Sequence, residues 1–111
     1  MSNEATKIRR GQIWTIQPVG FPKPRPALVI SIDAINDLCP DVLLIPITTK
    51  PGPLRILLAA SPESTGLEHE SYAKCESLGP VHKSRLKKLI GKVPKPAMKA
   101  VDEGVRSVLG V

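Results

Sequence analysis

Short apolar runs broken by proline and glycine occupy this chain from Ile13 to Gly79, and that punctuation forbids long helices over most of its length. The runs are Ile13-Trp14-Thr15-Ile16, Ala27 to Asp33 (ALVISID), Val42 to Thr48 (VLLIPIT), Leu54 to Ala60 (LRILLAA) and Ser71 to Leu78 (SYAKCESL). Their shortness and apolar, β-branched content read as strands. Between them lie a loop over Pro18 to Pro26, a turn over Asn36 to Asp41, a tight turn at Lys50-Pro-Gly-Pro53 and a loop from Ser61 to Glu70 hinged at Gly66. Gly79-Pro80 is the last stop signal. Pro46 cannot donate to a ladder, which places its run at an edge or a bulge. Strand alternation over 71–78 sets Tyr72, Lys74 and Glu76 on one face, and Ala73, Cys75 and Ser77 on the other, so Cys75 reads as a small buried residue. Only the last segment is helical: Met98, Val101, Val105 and Val108 form one apolar stripe, with Pro94 and Pro96 at or before its first turn. The pattern predicts a mainly β fold with a C-terminal α-helix, a small twisted barrel or half-barrel.

At 111 residues the chain suits a single domain spanning 1–111, with the polar residues 1–8 as a flexible tail. Trp14, Phe21 and Tyr72 are its only aromatics, too few for a base-stacking platform. The net charge of +6 steers it toward a polyanion or an acidic partner. Part of that excess is concentrated in Lys83, Arg85, Lys87, Lys88, Lys92, Lys95 and Lys99, a run that reads either as a solvated face or as a track for phosphates. Cys39 and Cys75 have no histidine at ligand spacing and make no zinc site. With a polar N-terminus and no long apolar run, neither a signal peptide nor a membrane span is expected, and the cytoplasm is the expected location.

Walker, HExxH and GxSxG motifs are all missing, so an enzyme of this sequence would work with ordinary side chains, without metal or cofactor. RNA is a substrate for which that suffices. Its own 2′-OH is the nucleophile, and the protein need only accept that proton, stabilise the phosphorane and protonate the leaving oxygen. Arg25, held between Pro24 and Pro26 at a strand entrance, presents a planar fork suited to two phosphate oxygens, or is a surface arginine at a loop junction. Thr48 and Thr49 either bond the turn backbone or face a ligand. Lys74 and Glu76 are either an exposed ion pair or a phosphate-holding cation beside a proton-accepting carboxylate. His69, between two glutamates, and His82, in a basic turn, are weaker acid–base candidates.

Taken in order, Arg10-Gly11-Gln12-Ile13-Trp14, Arg25-Pro26-Ala27-Leu28-Val29-Ile30-Ser31 with Asp33 and Asn36, Ile45-Pro46-Ile47-Thr48-Thr49, Thr65-Gly66-Leu67 leading to Ser71, and Ser84-Arg85-Leu86 with Ile90-Gly91 resemble the MazF/PemK toxin endoribonucleases. No one of these motifs is specific; their joint order across residues 9–110 is. The resemblance implies an SH3-like β-barrel with a C-terminal helix, working as a homodimer. It implies sequence-specific, metal-independent cleavage of single-stranded RNA to 2′,3′-cyclic phosphate and 5′-OH ends, and neutralisation by a cognate antitoxin. The family's catalytic arginine and threonine fall on Arg25 and Thr48, and its basic and acidic pair on Lys74 and Glu76, with Glu76 as the proton acceptor. Lys23, Thr49, Lys50, Lys83, Arg85 and Lys87 are the expected RNA contacts. The loop before Arg25 is shorter than in relatives and carries Phe21-Pro22-Lys23-Pro24 in place of their histidine- and glutamate-containing stretch. Two rival readings share the fold: a gyrase-poison toxin that grips a protein, and a silent RNA-binding barrel.

Overall fold

A computed structural model describes residues 7–17, 19–20 and 22–111. Seven strands and two helices follow in the order β1 (Gln12–Ile16), β2 (Arg25–Val29), α1 (Asp33–Leu38), β3 (Asp41–Thr48), β4 (Ile56–Leu58), β5 (Ser71–Ala73), β6 (Gly79–His82), β7 (Leu86–Lys92) and α2 (Lys95–Leu109). The strands form one sheet in the order β4-β5-β3-β2-β1-β7, with β6 also pairing β3, and all the pairings are antiparallel. The result is the expected class, a mainly β half-barrel closed by a C-terminal helix.

Both faces of the central strands are buried, because the sheet curls and each face meets its own cover. Ile13, Leu28, Ile45 and Ile47 point to one side, where Val101 is fully buried and Met98, Val105 and Val108 of α2 pack against the cluster. Trp14, Ala27, Val29, Val42 and Leu44 point to the other, covered by Ile8, Ile16, Val81 and Leu86. Of the expected tail 1–8, residues 1–6 lie outside the described residues, whereas Ile8 is part of this second cluster. A fully buried aliphatic side chain contributes about 1.5–3 kcal/mol, and an exposed ion pair about 1 kcal/mol at most. The stripe on α2, more than any charge pair, therefore holds the helix down.

Several local expectations are corrected by tertiary partners. The strand expected over 27–33 stops at Val29, and Asp33–Leu38 is a helix where part of a turn was expected. The start of β1 supports it: the Arg10 amide donates to Asp33 Oδ1 at 2.8 Å. Asn36, buried, bonds the Ser31 hydroxyl at 2.5 Å and the Ser31 carbonyl at 3.0 Å. Arg25 and Pro26 lie in β2 and not in the preceding loop, whose Pro18 and Phe21 are outside the described residues. The strand expected over 54–60 shrinks to Ile56–Leu58.

Pro46 lies in an interior strand, between β2 and the β5–β6 side. Its carbonyl accepts from the Lys74 amide at 2.9 Å. In a strand, N and O of one residue face the same way, so the missing donor faces the gap where the neighbour of β3 changes from β6 to β5. A break at an interior junction does the work expected of an edge. The expected strand 71–78 likewise ends at Ala73 and continues as a 3₁₀ turn over Cys75–Ser77. Gly79-Pro80 opens β6 and stops nothing.

The Ser61–Glu70 loop is pinned and is no hinge. Gly66 sits at φ +71, and a Cβ there would stand 1.9 Å from the Ile90 carbonyl oxygen. Gly91 on β7 returns the contact, since a Cβ on it would lie 2.1 Å from the Thr65 oxygen. Two backbones touch at a distance that only glycine permits.

Candidate active site

Three strand ends converge on one cleft. Arg25 opens β2 opposite Ile16, Thr48 closes β3 opposite Tyr72, and Lys74 follows β5 with its amide anchored on Pro46. Arg25, Thr48, Thr49, Lys50 and Lys74 all line a cleft of about 870 Å³, with apolar lining from Ile47, Leu67 and Ile90. Glu68 and His69 line it too, carried there by the pinned Thr65-Gly66-Leu67 segment. Thr65 is buried, donates to the Ala59 carbonyl at 2.7 Å and accepts from the Leu67 amide at 3.3 Å. Arg25, Lys50 and Lys74 face a single carboxylate in this lining, so the cleft favours an anion.

The Thr48 hydroxyl accepts from the Lys50 amide at 3.2 Å, the turn contact expected of a threonine at this place. That use leaves its proton and a second lone pair for a ligand. Beyond it the chain passes through Leu54 at φ 60, a left-handed conformation that costs a non-glycine residue about 1–2 kcal/mol. The loop closes where the Arg55 amide donates to the Gly52 carbonyl at 3.2 Å.

Glu76 is not part of the cleft lining. The 3₁₀ turn breaks the alternation that would have set it beside Lys74, and its carboxylate accepts from Arg55 Nε at 3.0 Å and Nη2 at 2.8 Å. The Arg55 hydrogen bond, followed by its own amide and nearby positive charge, holds the Glu76 carboxyl below its ordinary value. A carboxylate so engaged is a weaker base. Cys75 is fully buried, and that burial raises its thiol pKa.

The remaining expected contacts lie apart. Lys23 is exposed and outside the cleft lining, although its neighbour Pro24 is within it. Lys83 and Lys87 line a second hollow with Trp14, Leu86, Lys88 and Leu89. The Arg85 guanidinium donates to the Gln17 carbonyl, and the Gln17 amide returns a bond to the Arg85 carbonyl at 3.2 Å. His82 accepts from the Ser84 amide at 3.1 Å and caps a short turn. Sequence reasoning passed over Glu68 and gave His69 little weight. The signal that could have found both was their position directly after Thr65-Gly66-Leu67. Among the described residues no three His, Cys, Asp or Glu side chains gather as a metal-ligating group, and no helix is long and apolar enough to cross a membrane.

Fold and cleft together define a small β half-barrel with a cation-rich cleft at its strand ends. The chain superposes with a TM-score of 0.79 on an endoribonuclease solved in complex with its cognate antitoxin from a Mycobacterial species, at 23% identity over 95% of each chain. It matches a MazE–MazF structure from Deinococcus radiodurans with a TM-score of 0.78, at 21% identity over 94% of this chain and 96% of that one. The sequence is 29% identical to the endoribonuclease MazF9 of Mycobacterium tuberculosis, covering 89% of this chain and 93% of that protein. The sequence pattern of the PemK-like, MazF-like toxins of type II toxin–antitoxin systems matches residues 9–109, and the chain belongs to that family.

Proposed function

We propose that this protein is an endoribonuclease toxin that cuts single-stranded RNA at the cleft, using the 2′-OH of its substrate as the nucleophile and no metal. The observation that carries the reading is the convergence of Arg25, Thr48 and Lys74 from three separate strand ends on one cation-rich cleft. Relatives named as endoribonucleases favour it over a protein-gripping toxin or a silent RNA-binding barrel.

In this reading the 2′-oxygen attacks phosphorus and the P–O5′ bond breaks, the departing 5′-oxygen taking a proton from water in the open cleft, which leaves a 2′,3′-cyclic phosphate and a 5′-OH. Arg25 stabilises the charge that builds on the phosphorane oxygens, Thr48 donates to a phosphate oxygen, and Lys74 holds the scissile or adjacent phosphate. Lysine is a point charge and not a fork, so the bidentate role rests on Arg25. Thr49 and Lys50 contact the flanking backbone. The proton of the 2′-OH goes to His69, the imidazole in the cleft lining.

A homodimer, a cytoplasmic location and restraint by an acidic cognate antitoxin belong to the same reading. The net charge of +6 supports an acidic partner, and one solved relative is held by its cognate antitoxin. The test is incubation of purified protein with a long RNA in excess EDTA. Cleavage should persist, and it should stop when the 2′-OH at the cut site is replaced by hydrogen. Loss of cleavage on chelation rejects the metal-free mechanism.

A further inference from the structure

Arg55 makes more contacts than a surface arginine needs. Its side chain is only 18% exposed, and its guanidinium divides between two elements that border the cleft. Nε and Nη2 both reach Glu76 Oε2 on the turn that follows Lys74, and Nη1 donates to the Lys50 carbonyl at 3.0 Å. Gly52 leaves room for this: a Cβ there would stand 3.0 Å from Arg55 Nε and 3.1 Å from its Cδ. A side chain at 52 would thus press on Arg55 where it crosses its own loop.

We propose that Arg55 is a positioning residue, which with Glu76 as its anchor fixes the Lys50 loop against the Lys74 turn and so sets the spacing of the two lysines that grip RNA. The inference rests on the ribonuclease reading. Glu76 then serves the site through Arg55 and takes no proton. The arrangement also accounts for a loop that tolerates Leu54 in a left-handed conformation, because hydrogen bonds on both sides hold it there. An ion pair of solvated side chains would leave the loop free, whereas a bond to the Lys50 carbonyl fixes main chain.

The experiment compares the wild type with Arg55→Gln, Glu76→Gln and the exchanged pair Arg55→Glu/Glu76→Arg, in steady-state RNA cleavage across pH and in amide exchange over residues 49–55. Either single variant should raise KM by about tenfold with kcat within about twofold, as expected for lost positioning of phosphate-binding groups. Neither should move the acidic limb of the pH–rate profile, both should speed exchange at the residue 55 amide, and the exchanged pair should not recover KM, because a carboxylate at 55 cannot donate to the Lys50 carbonyl. Unchanged KM and exchange in Arg55→Gln overturns the proposal, as does loss of the acidic limb in Glu76→Gln, which would make that carboxylate the base. A wild-type protein that cleaves no RNA defeats the ribonuclease reading. Faster loop exchange in Arg55→Gln would then still show that Arg55 holds the loop, and unchanged exchange would remove both claims.

Discussion

Arg10 binds Asp102 through both carboxylate oxygens, at 2.5 and 2.6 Å, and with its other terminal nitrogen donates to the Ile30 carbonyl at 2.6 Å. One guanidinium thereby joins the start of the chain's first strand to α2 and to the end of β2. The pair is half-exposed, so Asp102→Ala should cost about 1 kcal/mol or less. Arg10→Ala also leaves a carbonyl unpaired and should cost about 1–3 kcal/mol. Urea denaturation midpoints of the two variants check the order, and equal losses would show that the Ile30 bond adds nothing.

Asp33 provides a pH-dependent contribution to stability. The Arg10 amide, with Asn36 and the charge of Arg9 behind it, lowers its carboxyl pKa below the ordinary value. A depressed folded pKa contributes stability that is present above the unfolded pKa and is lost as pH falls through the folded one. Unfolded aspartate titrates near about 3.9, so the loss should run downward from about that pH. Asp33→Asn should flatten this acid limb in unfolding curves taken from neutral pH to pH 3. An unchanged limb would mean that other carboxylates carry it.

Arg25→Ala should slow RNA cleavage by a hundredfold or more, the effect of removing one preorganised donor worth about 3–4 kcal/mol in the transition state. Arg25→Lys should recover little, because an ammonium cannot span two oxygens. Single-turnover rates read the step, and binding of a 2′-deoxy RNA analogue separates it from affinity. Full recovery by lysine would reduce Arg25 to a point charge.

His69→Asn should lower the cleavage rate by roughly a hundredfold to ten-thousandfold, the range of general base catalysis. Analogue binding should stay near the wild-type level. A variant that cleaves at the wild-type rate moves the proton to Glu68, the carboxylate in the cleft lining.

Charge reversal at Lys87 and Lys88 tests the second hollow. If both meet phosphates of a single strand, the slope of log affinity against log salt should flatten by roughly 1.4 whatever the RNA sequence. An unmoved slope makes this basic stretch a solvated face.

The strands β1 to β3 and the helix α2 were legible in the sequence, because their signals are local: apolar runs between breakers, and a stripe at helical spacing that needs one face covered. Arg25, Thr48 and Thr49 were legible as candidates for a related reason, since strand ends and turns are written in prolines and threonines, whereas the roles given to Arg25 and Thr48 came from the family resemblance. Lys74 and Glu76 looked equivalent by alternation, and only the tertiary structure separated them. Burying Cys75 and anchoring the Lys74 amide on Pro46 turns the chain into a 3₁₀ helix one residue before Glu76. Lys74 stays in the cleft lining, and Glu76 goes to Arg55, twenty-one residues away in the chain. Pairing between distant segments also placed Pro46 in the interior and made Gly79-Pro80 a strand, since each needed a partner that no local pattern announces. The cleft itself is of that kind: its lining comes from strand ends and loops far apart in sequence, and long-range packing alone sets the distances between them.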